Sequence, residues 1–384
     1  MKKRISILIT ALLLNLLLVA CGSAEGAGTT SEKEKATAGS SGSGKDTIRV
    51  VTTIFPEYDW VKTILGDAKE HVELTMLLDN GVDLHSYQPT ADDILKVSTC
   101  DLFIYVGGES DKWVQDALKE ATNKNMVVLN LMEIMGDKAK EEEIVEGMEH
   151  DHDHDHEDAD HDHEDADHED ADHDHEDADH EDADHDHEDA DHEDADHDHD
   201  HDEHEKEYDE HVWLSLKNTM FLCDTIAEAL KKVDPSHADL YQANVDAYKK
   251  ELSALDAEYA AVVGSARVKT LLFGDRFPFR YLTDDYGLKY YAAFAGCSAE
   301  TEASFETVIF LAEKTDELGL PVILTIEGTE HKLAETIKNN TKTKDQKLLS
   351  LNSMQSTNSK DIEAGASYIS IMKENLEVLK EALK

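Results

Sequence analysis

From residue 47 onward the apolar residues follow two alternating rhythms. A β-branched run at 48–54 reads as a buried strand, 72–78, 102–106 and 126–131 read as further strands, and the stretches 59–65, 92–97 and 112–121 between them read as helical. The same rhythm returns in the second half, with strands at 268–273, 290–294, 322–326 and 347–351 and helices at 301–318, 332–339 and 360–383. Strands alternating with helices imply parallel βα units. Between the two sets, 215–233 is helical, Asp234-Pro235-Ser236 interrupts, and 238–263 places Leu240, Val245, Tyr248, Leu252, Leu255, Tyr259 and Val262 on a repeating face with no Gly or Pro. About 26 residues at 1.5 Å each make a helix of roughly 39 Å, long enough to run along both halves. The pattern predicts an α/β protein of two lobes, each with a mostly parallel four-stranded sheet flanked by helices, joined by one long helix. The N-terminal lobe is expected at 47–234, the linking helix at 235–263 and the C-terminal lobe at 264–384.

Ahead of the lobes, Lys2, Lys3 and Arg4 precede a largely apolar run at 5–19, interrupted by Ser6, Thr10 and Asn15. The run is shorter than the roughly 20 apolar residues a spanning helix needs and has the make-up of a signal-peptide core. It ends in Leu18-Val19-Ala20-Cys21, followed by Gly22-Ser23. Small residues before a cysteine resemble a bacterial lipobox. Residues 1–20 are therefore expected to be a lipoprotein signal peptide, with Cys21 carrying the lipid and holding the protein outside the cytoplasmic membrane. Residues 22–46 are rich in Gly, Ser, Thr, Ala and Lys, so 21–46 reads as the lipidated Cys and a flexible tether.

Charge changes this picture in one place. Lys and Arg number 36 against 86 Asp and Glu, a net of −50. That excludes a nucleic-acid binder, which needs a basic face. Residues 150–204 hold 31 of the acids, 17 of the 22 histidines and no Lys or Arg. The remaining 55 acids and 36 bases leave an ordinary −19. Within this stretch a unit EDADHDHEDADH starts at Glu157, Glu169 and Glu181, with a partial copy at Glu193. It has no apolar residue larger than Ala, so burial cannot offset its ordering entropy, and an insert at 146–208 is expected to be disordered without metal. Imidazole suits Zn²⁺, Cu²⁺ and Ni²⁺, and carboxylates add favourable charge. His pairs one residue apart chelate one ion where the backbone adapts. The expected auxiliary ligands are His152, His154, His161, His163, His173, His175, His185, His187, His197 and His199. A solvated acidic spacer is the plain alternative, but it leaves the interleaved histidines superfluous.

Outside the insert lie His71, His85, His211, His237 and His331. His85 sits just past the second expected strand, and loops at the carboxyl ends of parallel strands line the ligand crevice. By the same rule Asp275, after a strand ending at Phe273, and Glu327, after one ending at Ile326, face a crevice. His211 directly follows the metal-rich stretch. Cys100, Cys223 and Cys297 are far apart and form no CxxC. A disulfide framework is not expected, and one bridging pair, three free thiols and a thiolate metal site all stay open.

At these residues the chain resembles the zinc/manganese substrate-binding lipoproteins of ABC importers. The resemblance covers nearly all of 47–384 plus the lipobox. It rests on Phe55-Pro56 after the first strand, DLHSYQPTADDI from Asp83, CDLFIYVG from Cys100, the His-rich insert, HVWLS from His211, the long helix, and Ser367-Tyr368 with Met372 and Asn375-Leu376. It implies two lobes joined by a rigid helix, with the metal in the cleft between them and His85 and His211 as N-lobe ligands. Aligned through Tyr281 and Tyr286-Gly287-Leu288, the family's third ligand falls on Arg276, which has no lone pair to give, and its last acid falls near Gln355. Asp275 is then expected as third ligand and Glu327 as fourth, with the Gln355 carbonyl oxygen or a water in its stead. The plain alternatives are a salt bridge from Asp275 to Arg276 or Arg280, and a loop carboxylate near Lys332 for Glu327. Imidazoles with carboxylates suit Zn²⁺, and a more oxygen-rich set leans to Mn²⁺; the insert favours zinc.

The resemblance implies a non-enzymatic, monomeric, lipid-anchored component that captures Zn²⁺ and delivers it to an ABC-transporter permease. Two alternatives are a Mn²⁺-specific binding protein and a surface zinc store or adhesin in which the insert is the main function. A zinc hydrolase is disfavoured, because the sequence holds no HExxH and no GxSxG.

Overall fold

The computed structural model describes residues 47–149, 207–298, 302–328 and 330–384. Cys21, the tether and the histidines of the repeat lie outside them. The first sheet is built from β1 (Ile48–Thr52), β2 (Val72–Met76), β3 (Leu102–Tyr105) and β4 (Val127–Asn130). Helices α1 (Phe55–Leu65), α2 (Ala91–Thr99), α3 (Trp113–Lys119) and α4 (Leu131–Met135) follow its strands. Next come α5 (Leu216–Val233) and the long α6 (Ala238–Ser265). The second sheet is β5 (Thr270–Phe277), β6 (Lys289–Ala295), β7 (Val322–Ile326) and β8 (Lys347–Leu351). Its helices are α7 (Arg280–Tyr286), α8 (Phe305–Leu318), α9 (Lys332–Asn340), α10 (Ser359–Glu363) and α11 (Tyr368–Ala382). The strand orders are β2-β1-β3-β4 and β6-β5-β7-β8, the same topology twice. Every strand pairing within them is parallel, so the expected two-lobed α/β architecture is present.

Several boundaries move for physical reasons. Helix α1 begins four residues earlier than the spacing suggested, because Pro56 fits the first helical turn and Glu57 folds back onto it. Its Oε2 accepts from Thr53 N–H at 2.8 Å and Ile54 N–H at 3.3 Å, which satisfies orphan donors at the helix start. The expected helix 360–383 is two helices, divided where Gly365 takes φ +105°. The most consequential shift is in β5. Gly274-Asp275 reads as a strand end, but the strand continues to Phe277 across a bulge between Phe273 and Arg276. Asp275 and Arg276 therefore lie inside a strand rather than in a loop after it.

Helix α6 has 28 residues, about 42 Å. Tyr241, Val245, Tyr248, Leu252, Leu255, Tyr259 and Val263 form its buried stripe. At roughly 1.5–3 kcal/mol for each large apolar side chain, that stripe represents on the order of 10 kcal/mol of gross burial. It packs on α1 and α5 of the first lobe and on α7 and α11 of the second. Polar contacts pin both ends: Asn244 Nδ2 donates to Ile64 O at 2.9 Å, and Tyr259 OH to Met372 O at 2.5 Å.

The lobes also meet directly. Trp213 is fully buried, and its indole N–H donates to Ser353 O at 2.8 Å. Tyr368 OH donates to Trp213 O at 2.7 Å, and its N–H to Asp59 Oδ2 at 2.8 Å. The described residues on either side of 150–206 also touch both lobes. Residues 140–142 and 207–209 run antiparallel, with Asp209 N–H on Lys140 O and Glu142 N–H on Glu207 O. Farther along, Glu149 N–H donates to Ala293 O at 3.0 Å, and Met148 is buried. Residues 146–149 and 207–208, counted above with the insert, thus belong to the folded body.

Candidate metal centre

Two histidines from distant parts of the chain meet between the lobes. His85 lies in a short 3₁₀ turn, Leu84–Ser86, capped by Asp83, whose Oδ1 accepts the His85 N–H at 3.0 Å. His211 precedes the turn Val212–Leu214 that leads into α5. Their Nε2 atoms face each other at 3.2 Å. Each ring is held from behind through Nδ1: His85 by Ser110 Oγ at 2.8 Å, His211 by Asp209 Oδ1 at 3.1 Å. A carboxylate or hydroxyl on Nδ1 fixes the tautomer and leaves Nε2 as the outward donor, the usual arrangement behind a metal-bound imidazole.

The electrostatics separate the two rings. Burial pulls the His211 imidazolium down, but the Asp209 carboxylate, with Glu210 and Asp83, outweighs it, so its pKa lies above the ordinary 6.5. Burial and then the neighbouring His211 charge push His85 down to about 3. Across 3.2 Å the two Nε2 atoms have room for one shared proton or one metal ion. Behind His85, Glu210 accepts from Ser110 N–H at 3.0 Å, and burial raises its carboxyl.

The second lobe closes over this pair with three side chains. Gln355 follows β8. With its amide oriented to satisfy both ends, its oxygen accepts from His211 Nε2 at 3.3 Å and its nitrogen donates to Asp83 Oδ1 at 3.1 Å and His85 Nε2 at 3.2 Å. Arg276 pairs with Asp83 at 2.7 Å and donates to Ser298 O at 3.3 Å. Burial alone would raise Asp83, but the guanidinium holds it below the usual carboxylate range. Cys297, after β6, brings Sγ to within 4.8 Å of the ligating atoms of both histidines.

Neither expected C-lobe carboxylate joins this cluster, and packing explains why. Asp275 sits at the β5 bulge, where the ladder loses partners. Its Oδ1 accepts from Arg276 N–H at 2.9 Å and its Oδ2 from Ile326 N–H at 3.2 Å, so it stitches the bulge to β7. It still lines a cavity of about 740 Å³ beside Asp83, His85 and Arg276. Glu327 follows β7 as expected, but it turns to the loop after β8. It accepts from Ser353 N–H at 2.6 Å, Ser353 Oγ at 2.8 Å and Gln355 N–H at 3.3 Å. Burial pushes its carboxyl up, and it lines a different cavity, with Gly81, Ser356 and Asn358. The salt bridge suggested for Arg276 is formed with Asp83 instead of Asp275.

Among the described residues, His85, His211 and Cys297 are the group whose ligating atoms converge. The sequence reading left Cys297 unassigned and passed over Asp209 and Ser110. The strand-end rule that singled out His85 and Glu327, applied to the strand at 290–294, reaches Gly296-Cys297. All three described cysteines are free thiols.

Two parallel-sheet lobes braced by one helix, with polar side chains from both lobes meeting at the junction, define a class: a bilobed α/β substrate-binding protein. The model of the zinc-uptake complex component A, periplasmic, family matches residues 50–382, and the chain belongs to that family. It is 28% identical over 368 residues to the high-affinity zinc uptake system protein ZnuA of Bacillus subtilis, covering 96% of this chain and 94% of that one. It is 27% identical over 337 residues to the zinc-binding protein AdcA of Streptococcus pyogenes, covering 87% of this chain and 55% of that protein. The chain thus spans about half the length of the AdcA relatives it matches. The Zn(II)-bound ZnuA-like domain of Streptococcus pneumoniae AdcA shares the fold, with TM-score 0.60 at 24% identity over 88% of this chain and 99% of that one. So does the metal-dependent lipoprotein YcdH of Bacillus subtilis, at TM-score 0.62, 24% identity and the same coverage.

Proposed function

We propose that the protein is the extracytoplasmic binding component of an ABC importer, taking Zn²⁺ between its lobes and delivering it to a membrane permease. The observation that carries this is the His85–His211 pair: two buried imidazoles with Nε2 atoms 3.2 Å apart and both Nδ1 atoms anchored. Bonds of about 2.0–2.1 Å from zinc to each nitrogen place tetrahedral ligands roughly 3.3 Å from one another, so one ion fits between the rings with little movement. The relatives named for zinc uptake support the choice of cargo. The chain is read as a carrier and not an enzyme.

Asp275 and Glu327 then serve behind the site. Glu327 shapes the loop that carries Gln355, and Asp275 fixes the β5 bulge that carries Arg276. The segment 150–206 collects ions, and Cys21 carries the lipid anchor. The described residues that precede that segment support the first role. Its preceding strap reaches the cleft, where Glu142 Oε1 accepts from Cys297 N–H at 3.0 Å. Among the described residues no helix is long and apolar enough to cross a membrane.

Growth tests the proposal. A strain lacking the protein should fail in zinc-chelated medium, recover with added zinc and not with manganese, and stay unrescued by a His85→Ala copy. Normal growth, or rescue by manganese, overturns it.

A further inference from the structure

Resting on the reading that His85 and His211 hold the ion, we infer that Cys297 is the third ligand, as a thiolate. The cleft is thereby tuned to thiophilic divalent ions (Zn²⁺, Co²⁺, Cd²⁺) and against Mn²⁺.

The argument begins with what the second lobe can offer. Arg276 has no lone pair and is committed to Asp83. Asp275 and Glu327 spend their oxygens on backbone N–H groups. Two imidazoles alone leave a divalent ion short of ligands and uncompensated in a buried site. Cys297 Sγ lies within 4.8 Å of the ligating atoms of His85 and His211. With a zinc–sulfur bond of about 2.3 Å, tetrahedral N···S separations are roughly 3.6 Å, so about an ångström of closure completes a two-nitrogen, one-sulfur set. Gln355 Oε1, 3.3 Å from His211 Nε2, stands where a neutral fourth ligand belongs.

The turn carrying Cys297 is built for this approach. Gly296 packs against the His211 ring: a Cβ there would lie 3.1 Å from Cε1, 3.2 Å from Nδ1 and 2.9 Å from Phe277 O. Any side chain at 296 would lift the turn, and the thiol with it, away from the imidazoles. Two bonds hold the turn from either side, Cys297 N–H to Glu142 Oε1 at 3.0 Å and Arg276 to Ser298 O at 3.3 Å. Arg276 thus positions the residue that takes over its neighbour's role. As the Sγ–metal bond forms, the thiol proton is released to solvent and the sulfur binds as thiolate. Thiolate is a soft ligand that favours zinc-like ions over manganese, which prefers oxygen.

Cobalt(II) absorption on the full chain tests this, because no cysteine lies within 150–204. One equivalent of Co²⁺ should give the intense visible bands of a tetrahedral site together with a near-ultraviolet thiolate-to-cobalt charge-transfer band. Cys297→Ser should abolish the charge-transfer band and His85→Ala the tetrahedral bands, with far-ultraviolet circular dichroism unchanged in both. Tetrahedral bands that depend on His85 without charge transfer in the unaltered chain would overturn the role of Cys297 and leave the histidine site standing. A charge-transfer band that persists in Cys297→Ser would overturn it as well. Absence of both bands in the unaltered chain would overturn the histidine site too.

Discussion

His85 Nε2 lies 3.2 Å from His211 Nε2, and the two residues are 126 positions apart in the chain. Nothing local brings them together. β2 leads into the turn that carries His85, and the antiparallel return of 207–209 onto 140–142 brings His211 to face it. Two imidazoles facing through Nε2 must share a proton or a metal ion, since two bare lone pairs repel. Proton and metal therefore compete for one place, and the groups behind each ring set the balance.

Asp209 is the stronger of those groups, because it accepts both the Nδ1–H and the backbone N–H of His211. Asp209→Asn removes the charge and frees the ring to turn. Loss of such an outer-shell carboxylate typically costs 10–100-fold in metal affinity. Calorimetric Zn²⁺ titration should show that weakening with the cleft stoichiometry unchanged.

The pH dependence has a defined sign. The His211 proton is held above the ordinary 6.5, because the Asp209, Glu210 and Asp83 carboxylates together outweigh the burial that would lower it. Zinc must displace that proton and, with Cys297 as ligand, a thiol proton that burial holds well above its ordinary range, so affinity should fall throughout the drop from pH 8 to 6, by up to about tenfold per pH unit for each proton displaced. His85, held near 3, adds little in this range. Titration at pH 8, 7 and 6 in buffers of different ionisation enthalpy measures both the slope and the protons released.

Stability should also move with pH at Asp111, the neighbour of the Ser110 that holds His85. Burial, then the neighbouring Glu210 charge, raise Asp111 to about 7 although its carboxylate accepts from Gly107 N–H at 3.0 Å. The folded state binds this proton more tightly than the unfolded chain, whose carboxyl titrates near 3.8. Its stabilising contribution is full below that value and is lost as pH rises towards 7, with a slope approaching about 1.4 kcal/mol per pH unit. Urea unfolding across pH 4–8 should show Asp111→Asn falling less steeply than the unaltered chain over that window.

Tyr368 links the lobes through its hydroxyl, which meets Trp213 O at 2.7 Å and Thr219 Oγ1 at 2.8 Å, all in the interior. Tyr368→Phe keeps the ring, which packs edge-on to Trp60, but leaves the Trp213 carbonyl with only the longer bond from Thr219 Oγ1 at 3.3 Å. The expected cost is about 1 kcal/mol by urea unfolding. Trp213 is two residues from His211, so zinc affinity should weaken alongside.

The lobes and their parallel sheets were legible because each strand falls in a short run rich in apolar residues and α6 carries an uninterrupted apolar stripe. His85 was legible for the same reason: it follows β2 at the end where ligand crevices form. Asp275 was misplaced because Gly274-Asp275 has the composition of a strand end. The bulge exists because α9 lies close against Gly274, where a Cβ would come within 2.7 Å of Ala334 Cα. That approach is a tertiary fact with no local signature. Glu327 was placed correctly along the chain, but its direction depends on the loop after β8, where Met354 adopts φ +65° and turns the Ser353 and Gln355 N–H groups towards it. Cys297 had the right position at a strand end, but its nearness to His211 rests on the missing side chain of Gly296, visible only once the lobes are packed.

The most direct measurement is calorimetric titration of Zn²⁺ into a chain whose residues 150–206 are replaced by a short Gly-Ser linker. Only the cleft then remains to bind. Tight binding at one ion per chain, abolished by His85→Ala in a variant with an unchanged far-ultraviolet circular dichroism spectrum, is the predicted result. No binding by the shortened chain when it is properly folded, or equal binding by its His85→Ala variant, would contradict the cleft site.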